Sequence, residues 1–442
     1  MHRVLTLLEG FTMNRHRIAL ALLLAVLLAL AASGVRAQTL RSGEFRGNQN
    51  TAGAQWAPDV ATAADGRFVV IWQEGGDGLD YTTPIALKAR LFDAAGKPRS
   101  GEILVATHKR PLSPGHAVAM APDGRFVAVW GGGTENPELV YGRRYAADGR
   151  PLGPRFPLAR NTDHQDTPDV AMAADGSFVA AWSQGVEKED PDNFDEVAVD
   201  VFVRRFGADG RPLGPEALAI GGYDEQSEPQ VAIRPDGSFL IACNDYGGES
   251  SFYDVDAQLF DRSGAPLGDV FRVNDGPHQE VTQIGPSIAV AADGRFAITW
   301  TDWNGDYGRD PNLDWRNQDF TGVAIRFYAA DGNPLGPGRP VNAFLPGEQL
   351  GAVVSALQNG GFLMLWVSGA NQDGDALGIF GRVFGADGKT RGQEFRVNLN
   401  RTGWQFMPAL SIAPNGKGVA AWTGLDGDKY GVFARLIGKP GH

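Results

Sequence analysis

The stretch "PDVATAADGRFVVIW", Pro58 to Trp72, reads as a β-hairpin. Its first half alternates along a strand. Asp65-Gly66 supplies the positive φ that a two-residue type I′ turn demands, and an apolar second strand ends in Trp72. The same text returns as "HAVAMAPDGRFVAVW" to Trp130, "PDVAMAADGSFVAAW" to Trp182 and "PQVAIRPDGSFLIAC" to Cys243. It returns again as "PSIAVAADGRFAITW" to Trp300, "AVVSALQNGGFLMLW" to Trp366 and "PALSIAPNGKGVAAW" to Trp422. The steps between these ends are 58, 52, 61, 57, 66 and 56 residues, so the chain holds seven units of one kind and variable length.

Each unit continues past its Trp position through a variable loop into a third strand such as "ALKARLF" or "IFGRVFG". A second turn, Asp148-Gly149 or Asp387-Gly388, leads to a fourth strand such as "DVFRVN" or "QEFRVN". Four antiparallel strands at this period predict an all-β, seven-bladed β-propeller with four strands per blade. A small residue recurs in every first strand: Ala61, Ala119, Ala171, Ala232, Ala289, Ser355 and Ser411. Crowding at the central axis explains that, and places the first strand innermost. Pro157 and Pro340 in fourth strands place those at the outer edge, where a missing N–H costs no ladder bond.

The seventh unit reaches its third strand, "GVFARLIG", and the chain then stops at His442. Its fourth strand is predicted from the other end of the chain, in "SGEFRGNQN", Ser42 to Asn50.

Residues present in every unit serve the unit. Trp closes six second strands. Arg recurs in third strands at Arg90, Arg143, Arg204, Arg326, Arg382 and Arg435, and Gln precedes first strands at Gln55, Gln165, Gln226, Gln283, Gln349 and Gln405. The fourth unit has Cys243 for Trp and Gln258 for Arg. That joint loss predicts a cation–π stack between the two.

Residues 1–37 read as a signal peptide. Arg15 and Arg17 precede an apolar run from Ile18 to Ala32, and Val35-Arg36-Ala37 supplies a cleavage site; Met13 is an alternative start. The run is shorter than the ~20 residues that span a bilayer, so no stable membrane insertion is expected after cleavage. Residues 38–442 then form a single exported domain, periplasmic or at the cell surface. It holds 36 basic and 51 acidic residues, a net charge of −15, which disfavours nucleic acid and anionic membranes as partners. A lone Cys243 excludes an intrachain disulfide.

The variable loops share one face, and candidate chemistry falls there. Asp and Asn crowd the loops after Trp, at Asp77, Asp80, Asp306, Asp373, Asp375, Asp426 and Asp428, and offer hard oxygen ligands for Ca²⁺. The fifth unit's long loop sets Asp302 among Trp303, Tyr307, Trp315 and Phe320, a composition suited to a glycan or protein ligand. The leading expectation is therefore a non-catalytic binding or scaffold propeller. The alternative is a hydrolase or lyase that uses His164, His278, Asp163 and Glu280 at the mouth of the central channel, with Asp166, Asp224, Glu225 and Glu228 as acidic neighbours. There is no HExxH and no paired-His spacing.

The segment "WVSGANQDGDALGIFGRVFGADGKTRGQEFRVN", Trp366 to Asn398, resembles repeats of large exported bacterial proteins, often found beside haemolysin-type calcium-binding segments. Those carry Trp, a DGDG-like loop, GI-x-x-R-x-F and EF-x-V-N. The resemblance covers about residues 42 to 438 and implies export and calcium, with no common activity. The expected closure by an N-terminal strand resembles that of Trp-Asp-repeat propellers.

Overall fold

The computed structural model describes Leu40 and residues 42–76, 85–108, 115–132, 139–160, 164–188, 196–222, 225–246, 252–275, 282–303, 321–427 and 429–438. All regular structure among them is β-strand. The strands form five four-stranded sheets and one eight-stranded sheet, each antiparallel in chain order from first strand to fourth. The eight-stranded sheet holds the third and fourth units, joined by one parallel bridge, Val199 to Glu225. The first strands are Gln55–Thr62, His116–Met120, Gln165–Met172, Glu225–Ile233, Gln283–Val290, Gln349–Ala356 and Gln405–Ile412. Each packs against the first strand of the next unit, and the last against the first, so they close a ring. This is a β-propeller. Fourth strands, Phe156–Pro157 and Arg339–Pro340 among them, lie at sheet edges.

The hairpin turns differ from the expected type I′. Gly66 N–H donates to Ala63 O (2.9 Å) and Ala63 N–H to Arg67 O (2.8 Å), and only Gly66 takes positive φ, at 89°. This is a longer loop, a type I turn followed by a left-handed glycine. Asp65 stays right-handed because its Oδ1 accepts the Arg67 N–H at 3.0 Å.

Packing between neighbours explains the constant residues. Trp72 clusters with Ala409, Val419 and Val432 of the seventh unit, and Trp130 with Val69, Ile71 and Leu87 of the first. Each buried Trp thus seals the seam with the preceding unit. The predicted Arg–Trp stack is corrected. Arg90, Arg143, Arg204 and Arg326 lie over Phe92, Tyr145, Phe206 and Tyr328, two residues on, with Cζ 5.6–5.8 Å from the ring centroids. Trp and Arg share one face of the sheet, but the register sets Trp72 opposite Lys88 and Arg90 opposite Val70, so the guanidinium meets the ring two residues on instead of the indole. The guanidinium also staples two edges. Arg204 donates to Gly214 O (3.1 Å) in its own unit and to Leu158 O (2.9 Å) in the preceding one.

The constant Gln meets the Asn of the fourth-strand motif. Asn274 Oδ1 accepts the Val255 N–H at 2.9 Å while its Nδ2 donates to Gln283 Oε1 at 2.7 Å, clasping the fourth unit to the fifth. Asn398 and Gln405 repeat this at 2.8 Å.

The N-terminal segment joins the same system. Phe45 and Arg46 pair with Ala434 and Phe433 of the seventh unit's third strand. Arg435 donates to Ser42 O at 2.8 Å, and Asn48 clasps Gln55 at 2.9 Å.

Candidate functional site

The seam between the third and fourth units breaks these rules three times. Cys243 replaces the Trp; it is fully buried, and burial pushes its thiol well above the usual range. Gln258 replaces the Arg and bonds Gly268 O (3.2 Å) and Leu259 O (2.8 Å), both within its own unit. In ladder register, Gly221, after Ile220 opposite Val201, stands where the fourth to seventh units carry Asn and the first and second carry Thr107 and Ala159. Gln226 is 2% exposed, and its Oε1 consequently has no partner among the described residues. Its Nε2 donates to Asp245 Oδ1 at 2.8 Å.

A cleft of about 470 Å³ opens beside this seam, lined by Glu225, Glu228, Asn244, Tyr253, Ile284 and Trp303, with Ser227 and Thr282. These residues begin first strands, end second strands or begin a third strand, so the cleft lies on the variable-loop face where the inner strands start. Glu228 occupies a bulge of its strand with φ 52°. Ala57, Thr167 and Met407 take the same conformation at the same place, so the bulge belongs to the repeat and only the carboxylate is special. The Glu228 N–H donates to Ser183 Oγ (3.2 Å), which also meets Thr167 Oγ1 at 2.7 Å, tying the third unit's bulge to the fourth.

The two cleft glutamates have different surroundings. Glu228 Oε2 accepts from Asn244 Nδ2 at 3.0 Å, and Glu225 Oε2 accepts from the Tyr253 hydroxyl at 3.3 Å. Glu228 reaches solvent in the cleft but is crowded by protein on its other sides. That desolvation raises its pKa against the Asn244 bond, and the charges of Asp166 and Glu225 raise it further. Asp166 is raised too, chiefly by burial, with His164 Nε2 3.5 Å from its Oδ2 opposing the shift. Trp303 stands 40% exposed at the rim. A carboxyl whose pKa is raised, a second carboxylate beside it and aromatic faces can perform acid–base chemistry on a bound sugar.

The sequence candidates separate on this frame. His164 and Trp303 come to this region. Asp302 is fully buried and accepts from Gln283 Nε2 at 3.0 Å. Asp373 is also buried, and its Oδ2 accepts from Asn398 Nδ2 at 3.0 Å. Asp375 Oδ2 accepts from the Gly403 N–H at 2.9 Å, and Asp426 is paired with Arg46. No group of three or more His, Cys, Asp or Glu suited to a metal forms among the described residues. Asp77, Asp80, Asp163, His278, Glu280, Asp306, Tyr307, Trp315, Phe320 and Asp428 lie outside the described residues. Tyr253 and Asn244 were missed, and Glu225 and Glu228 were read only as neighbours. Glu228 carries a signal, a carboxylate where other units have Ala57, Thr167, Gly285, Gly351 and Met407; Glu225 carries none, since Glu348 stands at the same position in the sixth unit.

No family model and no curated protein matches this sequence. Solved structures do match. A protein of unknown function from Dyadobacter fermentans aligns with TM-score 0.53 at 11% identity, over 90% of this chain and 98% of that one. The GH93 α-L-arabinofuranosidase of Fusarium graminearum, solved with arabinobiose, aligns with TM-score 0.51 at 10% identity, over 90% of this chain and 98% of that one. At such identity the likeness shows the fold. The expectation of a non-catalytic scaffold is nevertheless corrected. A similar structure with a named activity is a glycoside hydrolase, which agrees with the alternative expectation of a hydrolase and not with a non-catalytic scaffold.

Proposed function

We propose that the cleft between the fourth and fifth units hydrolyses glycosidic bonds. The carrying observation is that Glu225 and Glu228 share one cleft wall with unlike partners, the Tyr253 hydroxyl and the Asn244 amide. Glu228, with its raised pKa, donates a proton to the leaving oxygen. Glu225, held by Tyr253, stabilises positive charge at the anomeric carbon and activates water. Trp303 and Tyr253 offer faces for sugar rings. The described part of the site is a cleft with a pair of carboxylates, like the sites that cleave glycans in general. The arabinobiose held by the similar arabinofuranosidase agrees with a glycan as ligand.

We read the seven units as seven blades of four strands, the seventh completed by Phe45–Arg46; the sheet order supports this. Export after cleavage behind Ala37, and kinship with the repeats of exported bacterial proteins, belong to the same proposal.

A panel of unactivated oligosaccharides, arabinobiose included, tests the activity by release of reducing sugar, because an alkoxide leaving group departs only when protonated. The wild type cleaves at least one, with activity falling on the alkaline side as Glu228 loses its proton. Glu228→Gln lowers kcat by about 10²–10⁴ with little change in KM. Wild-type inactivity across the panel, or an unchanged Glu228→Gln, would refute the assignment.

A further inference from the structure

The turn face, opposite the cleft, carries another cavity. It lies at the seam between the fifth and sixth units and encloses about 240 Å³. Three cations line it, Arg295, Arg339 and Lys389, together with Phe327, Leu335 and Pro337. The chain as a whole has a net charge of −12, so this basic lining runs against the average.

Arg339 is the unusual member. In ladder register it faces Ile325. The same place holds Phe45, Phe156, Phe271 and Phe395 in four other units, Ile103 in the first and Ala217 in the third. Such rings close their seams: Phe45 packs on Phe68 and Phe92 of the next unit, and Phe156 on Phe178 and Phe206. Arg339 instead lays its guanidinium over Phe327 and Phe384, with Cζ 4.8 and 6.0 Å from the centroids, and its Nη2 donates to Gly388 O. Stacking and that bond fix the group in place. Burial pulls its pKa down, against the attraction of Asp387. Asp387 itself pairs with Arg391 at 2.8 Å, and Asp293 pairs with Arg295 at 2.7 Å. Arg339 and Lys389 form no ion pair among the described residues, so two positive charges at the cavity wall remain unanswered.

We propose that this cavity binds an organic anion about one ring in size, held at its carboxylate or phosphate by Arg339 and Lys389. Pockets for drug-sized ligands start at roughly 300 Å³, so this volume suits one ring and not an oligomer. The charged head gains charge-assisted hydrogen bonds from a guanidinium that burial has already partly stripped of water. The body that carries the head covers Leu335, which is 58% exposed, and Pro337. A bare inorganic oxyanion would answer the charges and leave those apolar groups wet. The cavity is on a different face from the glycoside cleft, and the proposal does not rest on that reading.

Titration calorimetry at pH 7 and low salt tests this with glucuronate, glucose 6-phosphate, inorganic phosphate and neutral glucose. At least one of the two organic anions should bind about tenfold more tightly than either glucose or inorganic phosphate. The tighter of the two identifies the head group. Raised salt should weaken the binding, since the charges are partly exposed. Arg339→Phe supplies the ring that other seams carry, so it should fold and lose the binding. Lys389→Glu, on an exposed turn, should lose it without touching the packed seam. Binding by none of the four, equal binding of glucose, or inorganic phosphate matching both organic anions overturns the proposal. So does a Lys389→Glu protein that binds as the wild type does.

Discussion

Asp169 lies on an innermost strand, and its Oδ2 accepts the N–H of Val231 on the neighbouring innermost strand at 2.7 Å. Asp59 does the same for Val118 at 2.8 Å. Both carboxyls work at the ring's crowded centre, and burial pushes them up, to about 7 for Asp169 and about 6 for Asp59, with Asp59's charge adding to the shift of Asp169. A carboxyl whose folded pKa is raised binds its proton more tightly in the folded state. Its contribution is full below the unfolded value near 4 and is lost as pH rises through about 7. Asp169→Asn keeps an acceptor for Val231 and removes the charge. Its thermal stability should exceed wild type at pH 8, by on the order of 3 kcal/mol, and match it near pH 4. A pH-independent difference between the two proteins would show that Asp169 does not titrate in this window.

The hairpin element depends on one glycine per turn. Gly237 has φ 86°, and a Cβ there would meet nothing nearer than Arg262 Cβ at 3.7 Å. Space is therefore available, and the left-handed conformation alone sets the cost. Gly237→Ala should destabilise by about 1–2 kcal/mol in denaturant melts with the m-value unchanged. At Gly332 the same change would also meet Leu259 Cδ1 at 2.5 Å, so its cost should be larger. These glycines were legible because Asx-Gly recurs in every unit. The turn type was not, because local text does not reveal whether the Asx side chain or its backbone makes the turn. Here Asp65 Oδ1 takes a backbone N–H and relieves the residue of positive φ. The third-strand arginines show the same limit. Their recurrence marked them as architecture, yet their true partners are Phe and Tyr two residues on and two carbonyls on different strands.

At the scale of the molecule, the ring is closed by residues near opposite ends of the sequence. Glu44 Oε2 accepts the N–H groups of Leu399 and Asn400 at 2.7 and 3.2 Å, Arg435 holds Ser42 O, and Asn48 links the seventh unit to the first. Deleting residues 41–50 removes a sheet edge, a guanidinium staple and an Asn–Gln clasp together. Several hydrogen bonds at about 1 kcal/mol each, with exposure of the packed Phe45, should lower stability by roughly 5 kcal/mol. An unchanged melting curve would mean that the ring does not need this strand.

The sequence alone determined the all-β class, the repeat and its strand order from axis to rim. Those follow from periodicity and from steric demands that each unit repeats, and seven copies make them visible within one chain. The site has the opposite character. Its cleft is lined where the units differ, at Glu228 and Asn244 among others, and a residue that differs from its copies carries no mark of what it will face. Only the closed ring brings Glu225 and Glu228 of one unit to Trp303 of the next and Asp166 of the previous one. Distance along the chain says nothing about that meeting. Burial in the assembled seam and the charge of Asp166 from the previous unit raise Glu228, together with the charge of Glu225 three residues before it.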